Sequence, residues 1–314
     1  MAQPGLGDVA FLGIGEETTW GTAVSRTKFV RLISESLKQN AAFNFPDVGS
    51  HGHAQRAAVK LPVYVDGTVE VEMNFYGFGL LLKHLLGGTT YAAPLKTFTP
   101  ETALPEGLSL EVDRDKGSFV YAGCKINSAS FSQARGELLK ATLSVIGKTE
   151  TTTTATAETF PTDKPILDEH FTMEVDDTAV SIQEWSLDVN NNLSGGDRSD
   201  LGSLNIKEPV RTAKQTIAGQ ITAEFDDETV LDKFRLRNDI KLEFLYNGGD
   251  LDSDTTEDYR LEFVMPTVKL IGGAAPVSGI GPIIQTFGFQ ARYNTTGTAE
   301  ALSILLNSGD TITT

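Results

Sequence analysis

One strand-to-helix unit occurs twice in this chain, and that recurrence constrains the fold more than any other feature. In Gly67–Gly88, GTVEVEMNFYGFGLLLKHLLGG, the residues Val69, Val71, Met73 and Phe75 alternate with Thr68, Glu70, Glu72 and Asn74. A period of two belongs to a strand with one buried face. The period then changes, because Phe78, Leu81, Leu82 and Leu85 fall at helical spacing and form the apolar stripe of a short helix that Gly87-Gly88 ends. In the second half, Gly219–Asn238 alternates Ile221, Ala223 and Phe225 with Gln220, Thr222 and Glu224 before passing into a helix. Asp227 is placed to cap that helix, with Leu231 and Phe234 on its buried stripe.

The flanks repeat in the same order. Ser34–Phe43 (SESLKQNAAF) answers Glu184–Leu193 (EWSLDVNNNL), and each runs into a long polar loop, Asn40–Lys60 and Asn190–Val210. Further on, Leu108–Val112 answers Ile240–Leu245, Phe119–Phe131 answers Leu261–Ile271, and Gly136–Val145 answers Gly281–Gln290. Two copies of one mainly β domain account for this order, against the alternative of two unrelated β-rich halves. At 314 residues the chain has the length of about two domains.

These boundaries give an N-terminal arm at 1–28, a first domain at 29–147, a connector at 148–166 and a second domain at 167–314. The connector contains KTETTTTATAETFPTDKP, a Thr-rich stretch with two prolines that favours extended backbone. Ala92–Pro105 reads as a bend, and Ala301–Asn307 as a closing strand. Loops as long as Asn40–Lys60 are uncommon in compact domains unless they serve a function or a partner, so both long loops are expected to be mobile in the free chain and to order on assembly.

Chemistry-bearing patterns are scarce. Gly13-x-Gly15 lacks the third glycine of a dinucleotide fingerprint, whose position falls at Thr18, and no βαβ unit follows. His51 and His53 form half of a metal-site pattern, but His84 and His170 stand at no zinc spacing and Cys124 is the single cysteine. Asp250, Asp252 and Asp254 begin a calcium-loop pattern that Thr255 and Leu261 break, which leaves a solvated hairpin tip. No nucleophile elbow, phosphate loop or metalloprotease motif occurs. We therefore expect no enzyme, no cofactor and no metal. A formal charge of −16 and a pI near 4.7 argue against a surface that grips nucleic acid, since phosphate affinity comes from clustered Lys and Arg. The first residues carry neither a basic segment nor an apolar one, and no run approaches the ~18 apolar residues of a membrane span, so no membrane partner is expected.

The segment GIGEETTWGTAV (Gly13–Val24), followed by a strand, a long loop, the GTVEVEMNFYGFGLLLKHLLG unit and a final strand pair, resembles the tail tube proteins of long-tailed bacteriophages, the siphophages. The resemblance implies two tandem β-sandwich or barrel domains, each with a flanking short α-helix, in a structural protein of the virion tail without catalytic residues. In that family six domains form a ring, rings stack into a hollow tube, and the long loop reaches the next ring. On that implication Phe43, Phe45, Pro46 and Arg56 in the first loop, with Leu193 and Arg198 in the second, are expected between rings. A duplicated chain implies three chains per ring, a homotrimer of pseudo-sixfold symmetry. The implied partners are further copies of the chain, a tape-measure protein, a tail terminator, tail-tip proteins, and DNA passing without specific binding, with assembly in the host cytoplasm. The polar face of Glu70 and Glu72, echoed by Thr222 and Glu224, either lines the channel or faces the outer solvent. Two other classes stay open. A tail-tip hub or secretion-system tube component shares the fold, and a carbohydrate-binding or adhesin module would need an exposed aromatic platform.

Overall fold

A computed structural model describes residues 5–47, 57–92, 94–225, 229–251, 254–274, 276–277, 280–293 and 300–309. The first half runs β1 (Phe11–Glu17), β2 (Lys28–Glu35), β3 (Lys38–Asn40), β4 (Phe43–Asn44), β5 (Val59–Lys60), β6 (Tyr64–Glu72), α1 (Gly79–Leu86), β7 (Gly87–Ala92), β8 (Leu95–Pro100), β9 (Gly107–Asp113), β10 (Ser118–Ala134), β11 (Lys140–Gly147) and β12 (Thr149–Thr153). The second half runs β13 (Phe171–Val175), β14 (Thr178–Val180), β15 (Glu184–Asn190), β16 (Thr216–Glu224), α2 (Thr229–Arg235), β17 (Ile240–Leu251), β18 (Asp254–Ala274), β19 (Ile284–Ala291) and β20 (Ser303–Asn307). The protein is mainly antiparallel β, as its alternating stretches require.

Strand pairing closes one circuit, and strand pairing with one chain crossing closes a second. In the first, β1 pairs with β2, β2 with β6, β6 with β11, β11 with β10, β10 with β9, and β9 returns to β1. In the second, β13 pairs with β14, the chain passes through Ser181–Gln183 into β15, and β15–β16–β19–β18–β17 leads back to β13. The registers run alike. Ser34 faces Glu70 and Asn40 faces Tyr64 in the first circuit, while Glu184 faces Thr222 and Asn190 faces Thr216 in the second.

Two glycines show why this pairing needs its sequence. A Cβ at Gly67, whose φ is +147°, would lie 2.6 Å from the Ser36 carbonyl oxygen. At Gly219 it would lie 2.1 Å from the Ser186 carbonyl oxygen. Each glycine lets a neighbouring backbone approach closer than any side chain permits.

The stretch expected as an arm instead supplies β1, with Phe11, Leu12 and Ile14 buried and both edges paired. Its GIGEETTWGTAV motif is held by a buried carboxylate. Glu17 accepts hydrogen bonds from Gly21 N at 2.7 Å, Ser109 Oγ at 2.8 Å and Gly123 N at 2.8 Å. Trp20 then closes the turn, donating from Nε1 to Gly123 O while the Lys148 ammonium lies over its ring.

The circuits are joined by a ladder between the second half of β10 and β15, from Ser128 opposite Asn190 to Ala134 opposite Glu184. Beneath this seam Trp185 stacks on Phe244 at 4.4 Å and meets the edge of Phe263 at 5.6 Å, with Phe131 on the other side of Phe263. Fully burying each such aliphatic or aromatic side chain contributes about 1.5–3 kcal/mol. A single apolar core therefore runs under both circuits.

Three further expectations change. Ala92–Pro105 is not a plain bend, because β7 and β8 form a hairpin whose β8 adds to β20 of the second half. The connector holds β12, paired to β10. Helix α1 is buried at every position except Lys83, not along one stripe, because β7, β8 and β10 pack around it and Asn191 of the second half bonds its Leu85 carbonyl. Gly87 does end the helix, at φ +101°. In α2, Leu231 is buried as expected, whereas Asp227 lies outside the described residues.

Candidate assembly surface

Joining the circuits makes one continuous sheet, β2–β6–β11–β10–β15–β16–β19–β18. Its inner face is apolar and its outer face carries rows of polar side chains. One row runs Ser34, Glu70, Thr142, Ser130, Asp188, Ala218, Gln290, Lys269. The neighbouring row runs Glu72, Lys140, Ser132, Ser186, Gln220, Gly288, Ile271. Period two is the cause, since each apolar inward residue forces its neighbours outward.

Glu70, Glu72, Thr222 and Glu224 all lie on this one face, although they come from strands that the sequence separates widely. Glu70 accepts from Ser34 Oγ at 2.9 Å, and Glu224 accepts from Gln183 Nε2 at 2.7 Å. Thr222 and Thr286 place their hydroxyls 3.4 Å apart across the β16–β19 pair. Lys140 donates to Glu137 at 2.9 Å, and that carboxylate raises the pKa of the amine. The face is hydroxyl-rich and carries Glu70, Glu72, Asp188 and Glu224 beside Lys140 and Lys269.

Just past the first long loop, the chain meets the second. Val63 N donates to Leu204 O at 2.7 Å, and Val63 bridges to Asn205. Around that contact Phe43, Phe45, Val59, Leu61, Leu201 and Leu204 are exposed, with the Phe43 and Phe45 rings 6.5 Å apart. Pro46 is half-buried beside them, and Arg56, His51 and His53 lie outside the described residues.

The second loop differs from its expectation. Leu193 is not exposed for an outside contact, because it is buried against Ile146 and Ile206. Its backbone N donates to Asn127 Oδ1 at 2.8 Å, and Asn191 N donates to Asn127 O at 2.8 Å. Arg198 is half-buried and donates to Glu208 O at 2.7 Å. Asn191 is fully buried, donating from Nδ2 to Leu85 O at 2.8 Å and Ile126 O at 3.1 Å. Asn190–Val210 is thus tied down by named bonds before any assembly. The polar letters of NNNLSGGDRSD hid this, since side-chain amides that bond backbone read in sequence like solvated loop.

Strand segments with one edge free of any ladder among the described residues include the end of β18 and β3, as well as β7, β12 and β14. Beyond Val268, β18 pairs with β19 alone, and Ile271 is 54% exposed. Strand β3 pairs with β6 alone. Its outer groups are met by side chains instead of a strand: Gln39 N donates to Glu150 Oε2 at 3.2 Å, and Leu37 N to Glu35 Oε2 at 2.8 Å. Arg114 holds Glu35 with two bonds of 2.8 and 3.0 Å.

Elsewhere, Glu174, Asp177 and Glu243 bring three carboxylates together, but the Lys241 ammonium sits among them, bonded to Asp177 at 2.7 Å and Glu243 at 2.8 Å. The amine supplies the positive charge that the cluster calls for. Cys124 is buried, and burial pushes its thiol well above the ordinary range, so it is a core residue and no nucleophile. Among the described residues no helix is long and apolar enough to cross a membrane.

A family model described as phage tail tube protein matches residues 7–291. No curated protein matches the chain.

Proposed function

The chain belongs to the phage tail tube protein family, and on that premise we propose that three copies close into a ring of six like units and that rings stack into the channel of a siphophage tail. The role is structural. Each circuit is one copy of a duplicated unit, a reading supported by the shared strand order, the shared registers and the paired glycines Gly67 and Gly219.

The observation that carries the proposal is the ladder between β10 and β15. Within one chain, the second half of the long strand of the first unit pairs with the edge of the second. The corresponding groups, the end of β18 and the outer edge at Ser34–Asn40, have no strand partner among the described residues. A contact repeated head to tail either closes or grows without limit, and two units per chain close as a ring when three chains meet. Transferring the Ser128–Asn190 register gives Ile271 of one chain opposite Asn40 of the next. In this exchange the Glu35 and Glu150 carboxylates yield the Leu37 and Gln39 amides to the arriving strand. Until then they cap the edge, as proteins with open sheet edges must do to avoid uncontrolled pairing.

Closing the ring in this way makes the polar face continuous around the axis. We assign it to the lumen, where Glu70, Glu72, Asp188 and Glu224 repel phosphate and hydroxyls offer no strong grip on DNA in transit. Tape-measure, terminator and tip proteins are the partners this assignment implies. A chain carrying Asn40→Cys and Ile271→Cys tests the register: oxidation of assembled material is expected to give trimers closed by three disulfides. Linear ladders of every length would contradict ring closure by this pair.

A further inference from the structure

The sharpest unevenness between the two halves of the chain lies at their helices. Around α1, Leu85 and Leu86 are fully buried, and Asn191 inserts between Leu85 O and Ile126 O. Beside α2 the corresponding carbonyl, Arg237 O, accepts instead from Lys269 Nζ of its own unit. A groove of about 550 Å³ runs between the end of α2 and β18, lined by Phe234, Arg237, Lys269, Leu270, Ile271 and Gly272. Leu236 beside it is 70% exposed and Ile271 is 54% exposed. Such apolar exposure at the end of a helix is costly in water unless something covers it.

We propose that this groove receives the segment Ala41–Phe45 of a neighbouring copy, with Phe43 as its anchor. The inference rests on the ring reading above and deepens it. Ala41 follows Asn40 as Asn191 follows Asn190, so pairing Ile271 with Asn40 delivers Ala41 to the mouth of the groove. In the first half, the Asn191 amide fills this place, while Leu193 packs against Ile146 and Ile206. The incoming segment has two alanines and then a large aromatic, and the groove is bordered by apolar Leu270 and Ile271 beside Lys233, Arg235 and Arg237. Phe43 is half exposed in the free chain, and among the described residues its ring contact is with Phe45. Its role is therefore within a ring, not between rings as its loop position suggests.

The fit explains a second difference. Lys125, on the strand that meets Asn191, pairs with Glu208 of the arriving loop, whereas Lys269 pairs with Asp239 of its own unit and donates to Arg237 O. One interface carries its ion pair across the seam, while the other keeps its charges at home and depends on an aromatic plug. An aromatic in a closed pocket is the usual form of an energetic anchor between proteins.

The test places the photoreactive analogue benzoylphenylalanine at position 43 of the full-length chain and irradiates assembled tubes. Mass spectrometry is expected to find interchain links to residues 233–238 or 269–272. Links only to other places, such as 57–63 or 200–206, overturn the inference while leaving the tube intact. Phe43→Ala supplies the energetic arm: the concentration at which rings form is expected to rise about tenfold or more, with the circular dichroism of the free chain unchanged. An unchanged assembly concentration also overturns it. Absence of rings and tubes from the unmodified protein would instead refute the ring reading itself, so the two failures are distinguishable.

Discussion

Ser128 on β10 stands directly opposite Asn190 on β15, and at this ladder the outward polar face of the first half passes without a break into that of the second. Hydroxyl faces amide across the join, and inside it Phe131 and Leu187 face each other in the core. The two halves therefore share a sheet above and a core below. Cutting the chain at the connector would expose both.

Glycine at 67 and 219 is a steric requirement. Gly67→Ala and Gly219→Ala each place a methyl within 2.6 Å and 2.1 Å of a neighbouring carbonyl oxygen. Each substitution is expected to lower stability by about 2 kcal/mol or more, measured as a shift in the denaturation midpoint. A loss below about 0.5 kcal/mol at both sites would show that the backbone can move aside.

Acid sensitivity follows from the contact between β1 and α1. Glu16 accepts from Lys83 at 2.8 Å and from His84 Nε2 at 3.2 Å, and these bonds lower its pKa from 4.5 to about 2. A carboxylate with a depressed folded pKa contributes stability above its unfolded value, and that contribution is lost as pH falls toward 2. Burial also depresses His84 below 6.5, so its neutral form is favoured and its contribution, too, fades as pH drops. Glu16→Gln is expected to flatten the stability profile between pH 4.5 and 2. A profile identical to that of the unmodified chain would remove Glu16 from the account.

Cys124 is fully enclosed, and burial drives its thiol above the ordinary range. Native protein at neutral pH is expected to react with thiol reagents only after unfolding. Rapid labelling of the folded chain would mean that the first circuit opens far more readily than its core suggests.

Amides of the second long loop give another check. Leu193 N, Ser194 N and Lys207 N donate to Asn127 Oδ1, Val210 O and Arg198 O. Hydrogen exchange of the free chain is expected to show these three protected before assembly. Exchange at the rate of an open loop would restore the expectation that assembly orders it.

Reversing the charge of Glu70 and Glu224 to Lys tests the lumen assignment. Tubes are expected to form, and DNA ejection to slow as phosphate meets cations on the wall. Ejection at an unchanged rate would place this face on the outside of the tube.

Much of this architecture is legible in sequence where one residue decides one thing. The strand from Tyr64 to Glu72 alternates cleanly, and Gly87 marks the end of its helix. The signal fails where one letter serves two elements. Gly87-Gly88 ends α1 and also begins β7, so the hairpin with β8 was hidden behind a stop signal. Strand β1 carries Gly13 and Gly15 in positions packed against Arg26 and Ser25, and glycines in close packing look in sequence like turn residues. The last strand pair shows how little separates a right register from a wrong one. Glu72 faces Lys140 and Glu224 faces Ile284, so Leu143 answers Phe287, one residue away from the alignment that matches Gly136 to Gly281. A slip of one flips every side chain to the other face. Of the surface, the polar rows were visible strand by strand, but their union into one face was not, because it depends on the β10–β15 ladder.

The number of chains in one ring tests the central claim most directly. Electron cryomicroscopy of tubes grown from purified protein is expected to show three chains of 33.8 kDa per ring, arranged as six similar units around a lumen faced by the β6 and β16 strands. Six chains per ring, or a protein that stays monomeric at every concentration, would contradict it.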